Sequence, residues 1–101
     1  MKIAVIADDL TGANATGVRL SKHGFNTVTM TQETASLPRN YDAFCIDTDS
    51  RNVSPVEAKR RVMEAASLMQ YLGATLFCKR IDSTVRGNIG VEITALLEVL
   101  G

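Results

Sequence analysis

Short apolar runs alternate along this chain with longer segments whose apolar residues recur at helical spacing, and that alternation narrows the possible folds to one class. Residues 2–7 form a brief Ile/Val/Ala run bounded by charge, the pattern of a buried strand. Residues 26–30, 42–47 and 75–79 read as three further strands. After the first strand, Leu10, Ala13, Gly17 and Leu20 fall three and four apart, which predicts a helix over about residues 12–23 that faces inward through those positions. Its small residues allow close approach to a sheet, and Gly24 is placed to end it. His23 reads as part of that helix end, not as a catalytic group. The polar stretch from Thr31 to Asn40, with Pro38 inside it, reads as a loop or a short helix.

The second helix has a marked start. Ser54 can cap it, Pro55 fits the first helical position, and Glu57 completes a capping box. It should run to about Tyr71, bury Val62, Ala65, Ala66, Met69 and Leu72, and close at Gly73. A last helix, starting near Gly87 or Asn88, is expected to bury Ile89, Ile93, Leu96, Leu97 and Leu100. The order β-α-β-β-α-β-α contains strand–helix–strand units, whose crossovers make parallel sheets covered by helices. The expected fold is α/β: three layers (αβα) around a mostly parallel, Rossmann-like sheet of about four strands.

Composition sets the outer bounds. A chain of 101 residues is enough for one domain. Aromatics are 5% and Trp is absent, so the core must rest on Val, Ile, Leu, Ala and Met. Eleven basic and eleven acidic residues cancel, and their scatter argues against a nucleic-acid or membrane surface. The longest basic run, Lys59-Arg60-Arg61, lies mid-helix and reads as a solvated face. Cys45 and Cys78 sit in apolar runs without a CxxC or Cys/His pattern, so both are expected to be buried free thiols, no zinc site is expected, and a reducing cytoplasm suits them. The first apolar run is too short for a signal peptide, and no stretch approaches the roughly 18 apolar residues of a bilayer span. A four-stranded sheet has bare edges, and Gly101 follows directly on an amphipathic helix, so the native chain is expected to continue.

The unusual residues fall in three loops. Parallel strands end at one edge of the sheet, where ligands bind in folds of this class. There the first strand empties into Asp8-Asp9-Leu10-Thr11-Gly12, the third into Asp47-Thr48-Asp49-Ser50-Arg51, and the fourth into Lys79-Arg80-Ile81-Asp82-Ser83-Thr84-Val85-Arg86-Gly87-Asn88. Asp8 and Asp9 can accept hydrogen bonds from sugar hydroxyls, and a carboxylate beside a second one suits general-base work. The bland alternative is that Asp9 caps the first helix and Asp8 ends the strand. Thr11 and Gly12 offer a hydroxyl and backbone N–H groups at a helix start. In the last loop, cations ahead of a helix N-terminus favour a carboxylate or a phosphate, unless Asp82 simply pairs with Arg80 or Arg86. No GxxxxGK[ST] is present and no GxGxxG follows the first strand, which removes the P-loop and dinucleotide readings.

In these same loops the sequence resembles the four-carbon acid sugar kinases. The matching stretches are Ala7–Ala13, Asp47–Arg51 and Lys79–Gly90, within a similarity that runs the length of the chain but covers only the first part of the family's proteins. The resemblance implies that residues 1–101 are the N-terminal part of an acid-sugar-binding domain. It implies an ATP-dependent cytoplasmic kinase acting on threonate, erythronate or 3-oxo-tetronates. ATP and Mg2+ would be bound mainly by a separate C-terminal domain absent from this chain, with the active site between the two. Carried over by position, Asp9 and Asp8 are the candidate catalytic residues. Thr11, Gly12, Arg51, Lys79, Asp82, Ser83, Arg86 and Gly87 are the candidate substrate contacts, Arg51 and Lys79 toward the carboxylate; no metal ligand is expected in this chain. The expected partner is a small sugar acid, with a homo-oligomer possible and neither nucleic acid nor membrane. Val85 stands where Leu or Ala is usual, and some relatives carry Lys in place of Arg86.

Two other readings fit parts of the pattern. A receiver domain also places an acidic pair after its first strand and an Asp after its third. It needs a fifth strand followed by Lys-Pro, which is missing, and its pocket tolerates no loop as basic as Lys79–Asn88. A non-catalytic α/β binding module is the third reading.

Overall fold

The structure, a computed structural model, describes residues 2–31, 40–80 and 87–101. Their elements are β1 (Ile3–Ala7), α1 (Leu10–Lys22), β2 (Thr27–Thr31), β3 (Ala43–Asp47), α2 (Pro55–Tyr71), β4 (Leu76–Arg80) and α3 (Ile89–Leu100). The four strands form one sheet in the order β2-β3-β1-β4, every pair parallel. This is the α/β fold that the strand–helix alternation predicts. The expected loop between Thr31 and Asn40 lies, apart from its two ends, outside the described residues.

β1 and β3 are central, and all five residues of each are buried. Strand alternation divides them between two cores. Ile3, Val5, Ala7, Ala43 and Cys45 pack with Ala13 on the α1 side, where Leu20 and Phe25 add partial cover. Ala4, Ile6, Phe44 and Ile46 pack against Val62, Ala65, Ala66 and Met69 of α2, and Ala95 and Leu96 of α3 join that core. The small residues of α1 work as expected: a Cβ on Gly17 would stand 2.8 Å from Thr29 Oγ1 and 3.7 Å from Cys45 Sγ, so the helix lies directly on the sheet.

α2 matches its prediction, burying Val62, Ala65, Ala66 and Met69, with Leu72 buried at its C-cap. Ser54 Oγ accepts from Glu57 N–H at 3.2 Å, but the box is only half formed. The Glu57 carboxylate turns outward to Arg60 and Arg61, which hold it down at about pKa 2. Lys59 and Arg60 pair with surface carboxylates, as a solvated face should.

Three expectations need correction. α1 starts at Leu10, not near residue 12, and Leu10 is 48% exposed because Asp9 caps the helix and turns the first residue outward. α3 buries Glu92, Ala95 and Leu96, whereas Ile93, Leu97 and Leu100 are exposed: the helix packs on α2, which covers only one of its faces. Cys45 is buried, and burial raises its thiol pKa to about 11, but Cys78 is exposed. Cys78 shares its side of the sheet with Val5, but α1 packs on β1, β2 and β3 and meets β4 at its last residue, Arg80, beyond Cys78. Among the described residues no helix is long and apolar enough to cross a membrane.

Candidate functional site

The C-terminal ends of β1 and β3 are sewn together by backbone. Thr48 N–H donates to Ala7 O at 2.9 Å and Ser50 N–H to Asp8 O at 3.1 Å. The Thr48 hydroxyl adds a bond to Ala7 O at 3.1 Å and shares a 2.7 Å contact with Ser50 Oγ, both side chains fully buried. Asp47 folds back so that its carboxylate accepts from Asp49 N–H at 2.7 Å. Burial pushes the Asp47 pKa up, against that hydrogen bond and with help from the charges of Asp49, Asp9 and Asp8.

This stitching brings Arg51 beside the acidic pair. Its Nε and Nη2 donate to the two oxygens of Asp8 at 3.3 and 3.1 Å, a two-point fork, and its Nη1 lies 3.3 Å from Asp9 Oδ2. Asp8 is 2% exposed, so the fork is what makes its burial tolerable. Asp9 keeps a third of its side chain in solvent. Its other oxygen, Oδ1, accepts from Gly12 N–H at 2.9 Å and caps α1. Asp9 thus does cap the helix, as its position before α1 allows. Capping leaves capacity free, because each carboxylate oxygen has two acceptor sites. Thr11 is exposed in the first helical turn, where its N–H and that of Leu10 have no intrahelical partner. Gly12 is required by close approach, since a Cβ there would meet Asp9 Oδ1 at 2.9 Å and Arg80 Cγ at 3.2 Å.

The third loop arrives through its end. Gly87 has φ +91°, which favours glycine, and the space is tight as well: a Cβ on it would stand 3.1 Å from Arg51 Cγ and 3.2 Å from Asp8 Oδ2. Asn88, the residue before α3, donates from Nδ2 to Ser50 O at 3.1 Å and Val53 O at 2.8 Å, fastening α3 to the β3–α2 loop. Sequence reading placed Asn88 only at a helix start and gave Thr48, Ser50 and Glu92 no role. The signal for Glu92 is a carboxylate at an inward position of a helix otherwise apolar.

The sequence treats Lys79 and Arg80 as a pair, but strand alternation parts them. Lys79, beside Ile6 in register, turns to the α2/α3 side, where its Nζ lies 3.1 Å from Glu92 Oε1 with both side chains nearly inaccessible. Arg80, beside Ala7, lies on the α1 side, exposed, with Nη1 3.3 Å from Thr16 Oγ1. The structure thus joins Asp8, Asp9, Gly12, Arg51 and Gly87 in one corner, keeps Thr11 at its rim, and sends Lys79 to a different partner. Asp82, Ser83 and Arg86 lie outside the described residues. Among the described residues no group of three or more His, Cys, Asp or Glu side chains can hold a metal ion.

The family model described as the sugar-binding N-terminal domain matches residues 3–101. The chain belongs to that family. It is 53% identical, over 98% of its length, to a D-erythronate kinase of Heliobacterium modesticaldum, and 44% identical over 96% to a D-threonate kinase of Salmonella typhimurium. It is also 36% identical over 99% to a 3-oxo-tetronate kinase of Escherichia coli. It spans 23% to 27% of the length of these relatives. Among solved structures it is similar, with a TM-score of 0.90 and 28% identity over its full length, to a domain of unknown function from Bordetella bronchiseptica. That protein is a domain-swapped dimer with bound citrate, and this chain covers 26% of it. The names of these relatives support the kinase reading, and none supports a receiver.

Proposed function

We propose that this chain is the acid-sugar-binding part of an ATP-dependent kinase that phosphorylates four-carbon sugar acids of the threonate, erythronate or 3-oxo-tetronate type. The observation that carries the reading is the 53% identity to a D-erythronate kinase over 98% of the chain. The corner suits a polyhydroxylated ligand. Asp9 presents a partly exposed carboxylate, Thr11 a hydroxyl, and Leu10 and Thr11 N–H groups without an intrahelical partner, so hydroxyl donors and acceptors on the ligand both find partners.

In the reaction, an alcohol oxygen of the acid attacks the terminal phosphorus of ATP, ADP leaves, and the alcohol proton passes to a carboxylate. Asp9 is the better placed of the pair for that contact, because Asp8 is buried and faces the Arg51 fork with both oxygens. Arg51 fixes the orientation of both carboxylates and Gly87 keeps the corner open. Among the described residues Mg2+ fits poorly: Asp8 gives both oxygens to Arg51 and no three carboxylate, Cys or His side chains converge, so we assign ATP and Mg2+ to another part of the full-length protein. The citrate of the Bordetella bronchiseptica protein, itself a hydroxy acid, supports a small-acid ligand, and its dimeric state supports a homo-oligomer here. A cytoplasmic location is part of this proposal, since a kinase of this kind draws on ATP.

Isothermal titration of this chain with D-threonate and D-erythronate, with ATP as control, tests the reading. Binding of a sugar acid that Asp9→Asn weakens is expected. A full-length protein that neither binds nor phosphorylates any four-carbon acid refutes it.

A further inference from the structure

The Asp8–Asp9–Arg51 corner holds two negative charges and one positive, so it repels the anionic group of any acid unless another cation is near. Two of the cations that the sequence directs toward a ligand carboxylate are already committed. Arg51 faces Asp8 and Asp9, and Lys79 faces Glu92 on the opposite side of the sheet from α1. Arg80 differs from both. It ends β4 beside Ala7, the residue before Asp8, and its stem passes the start of α1, where its Cγ is 3.2 Å from the Cβ position of Gly12. Its guanidinium is exposed, bonds only the neutral Thr16 hydroxyl at 3.3 Å, and makes no ion pair among the described residues. Among the described residues one weak neutral contact holds this long, exposed side chain, which can turn toward the corner.

We propose that Arg80, and not Lys79, is the specificity-determining cation that takes the carboxylate of the sugar acid at the α1 N-terminus. This rests on the proposed function and names the residue that makes the site prefer acids over neutral polyols. Arg80 offsets the excess negative charge of Asp8, Asp9 and Arg51, and its planar fork matches a carboxylate at two points. Lys79, locked to Glu92, instead fixes the end of β4, since its Nζ also donates to Arg80 O at 3.0 Å.

The test is steady-state kinetics of the full-length kinase on D-erythronate and on erythritol, its uncharged counterpart. Wild type should prefer the acid. Arg80→Gln should raise KM for the acid by about 10- to 100-fold, the range for a charged hydrogen bond, with a smaller change in kcat and with the acid/polyol preference largely gone. Arg80→Lys should keep part of the preference, which no merely structural role explains. The double variant Lys79→Met/Glu92→Leu should keep the preference. Loss of the preference in the double variant together with its retention in Arg80→Gln overturns the assignment and returns the role to Lys79. A wild-type enzyme active on no four-carbon acid overturns the proposed function itself, and this assignment with it.

Discussion

Two ion pairs lie at the same edge of the sheet, and they are built differently. At the β1–β3 corner, Arg51 meets Asp8 at two points and Asp9 at a third, and backbone bonds from Thr48 and Ser50 hold the two loops in register. At the β4–α3 side, Lys79 meets Glu92 at one distance of 3.1 Å, and neither Glu92 oxygen receives an aligned hydrogen bond among the described residues. Buried charges are costly unless attraction and hydrogen bonds together offset desolvation. The first pair meets that condition and the second meets it only in part. The corner is thus a rigid platform, and the Lys79–Glu92 pair is a brace that fixes two elements at some cost to stability.

The sharpest way to break this contrast is to remove Arg51. Arg51→Ala strands the buried Asp8 carboxylate and should cost about 3–5 kcal/mol in urea denaturation. A loss under about 1 kcal/mol would mean that Asp8 is well solvated and the platform is not rigid. Next in size is the brace. Lys79→Met alone strands Glu92 and should cost about 3 kcal/mol, whereas Lys79→Met with Glu92→Leu should recover most of that or exceed wild type. If the double variant is as unstable as the single one, the brace is an asset and the two pairs are alike.

The smallest effect concerns Asp47, at the rim of the corner. Burial raises its pKa in the folded chain, so between the ordinary Asp value of 3.8 and that raised value the unfolded chain gives up its proton first. Stability from this group is therefore present at low pH and lost as pH rises through that window. Asp47→Asn keeps an acceptor for Asp49 N–H and should raise the melting temperature slightly at pH 7, with the gain vanishing near pH 3. An equal gain at both pH values would show that charge is not the cause.

Much of this was legible in the sequence because it depends on local pattern. The inward face of α2 is set by Val62, Ala65, Ala66 and Met69 at helical spacing, and all four are buried. Asp8, Asp9 and Arg51 were readable as site candidates because residues ending parallel strands meet at one edge. Other placements were not legible. Ile93, Leu97 and Leu100 have the same spacing as a core face, yet they are exposed, because periodicity shows which residues are apolar and not which neighbour covers them. Cys78 is exposed for the same reason, on a stretch of sheet that α1 does not reach.

The sequence by itself determined the class of fold, the strands and helices, and the three loops that carry the charge, because short-range patterns and caps act within a few residues. Only the tertiary structure decided what each charge does. Lys79 and Arg80 are adjacent and both basic, and nothing local distinguishes their roles. The register of β4 on β1 sends one toward Glu92 in α3 and the other past Gly12 at the start of α1. A partner brought from far along the chain thus decides that Lys79 is neutralised within the protein while Arg80 keeps its charge exposed.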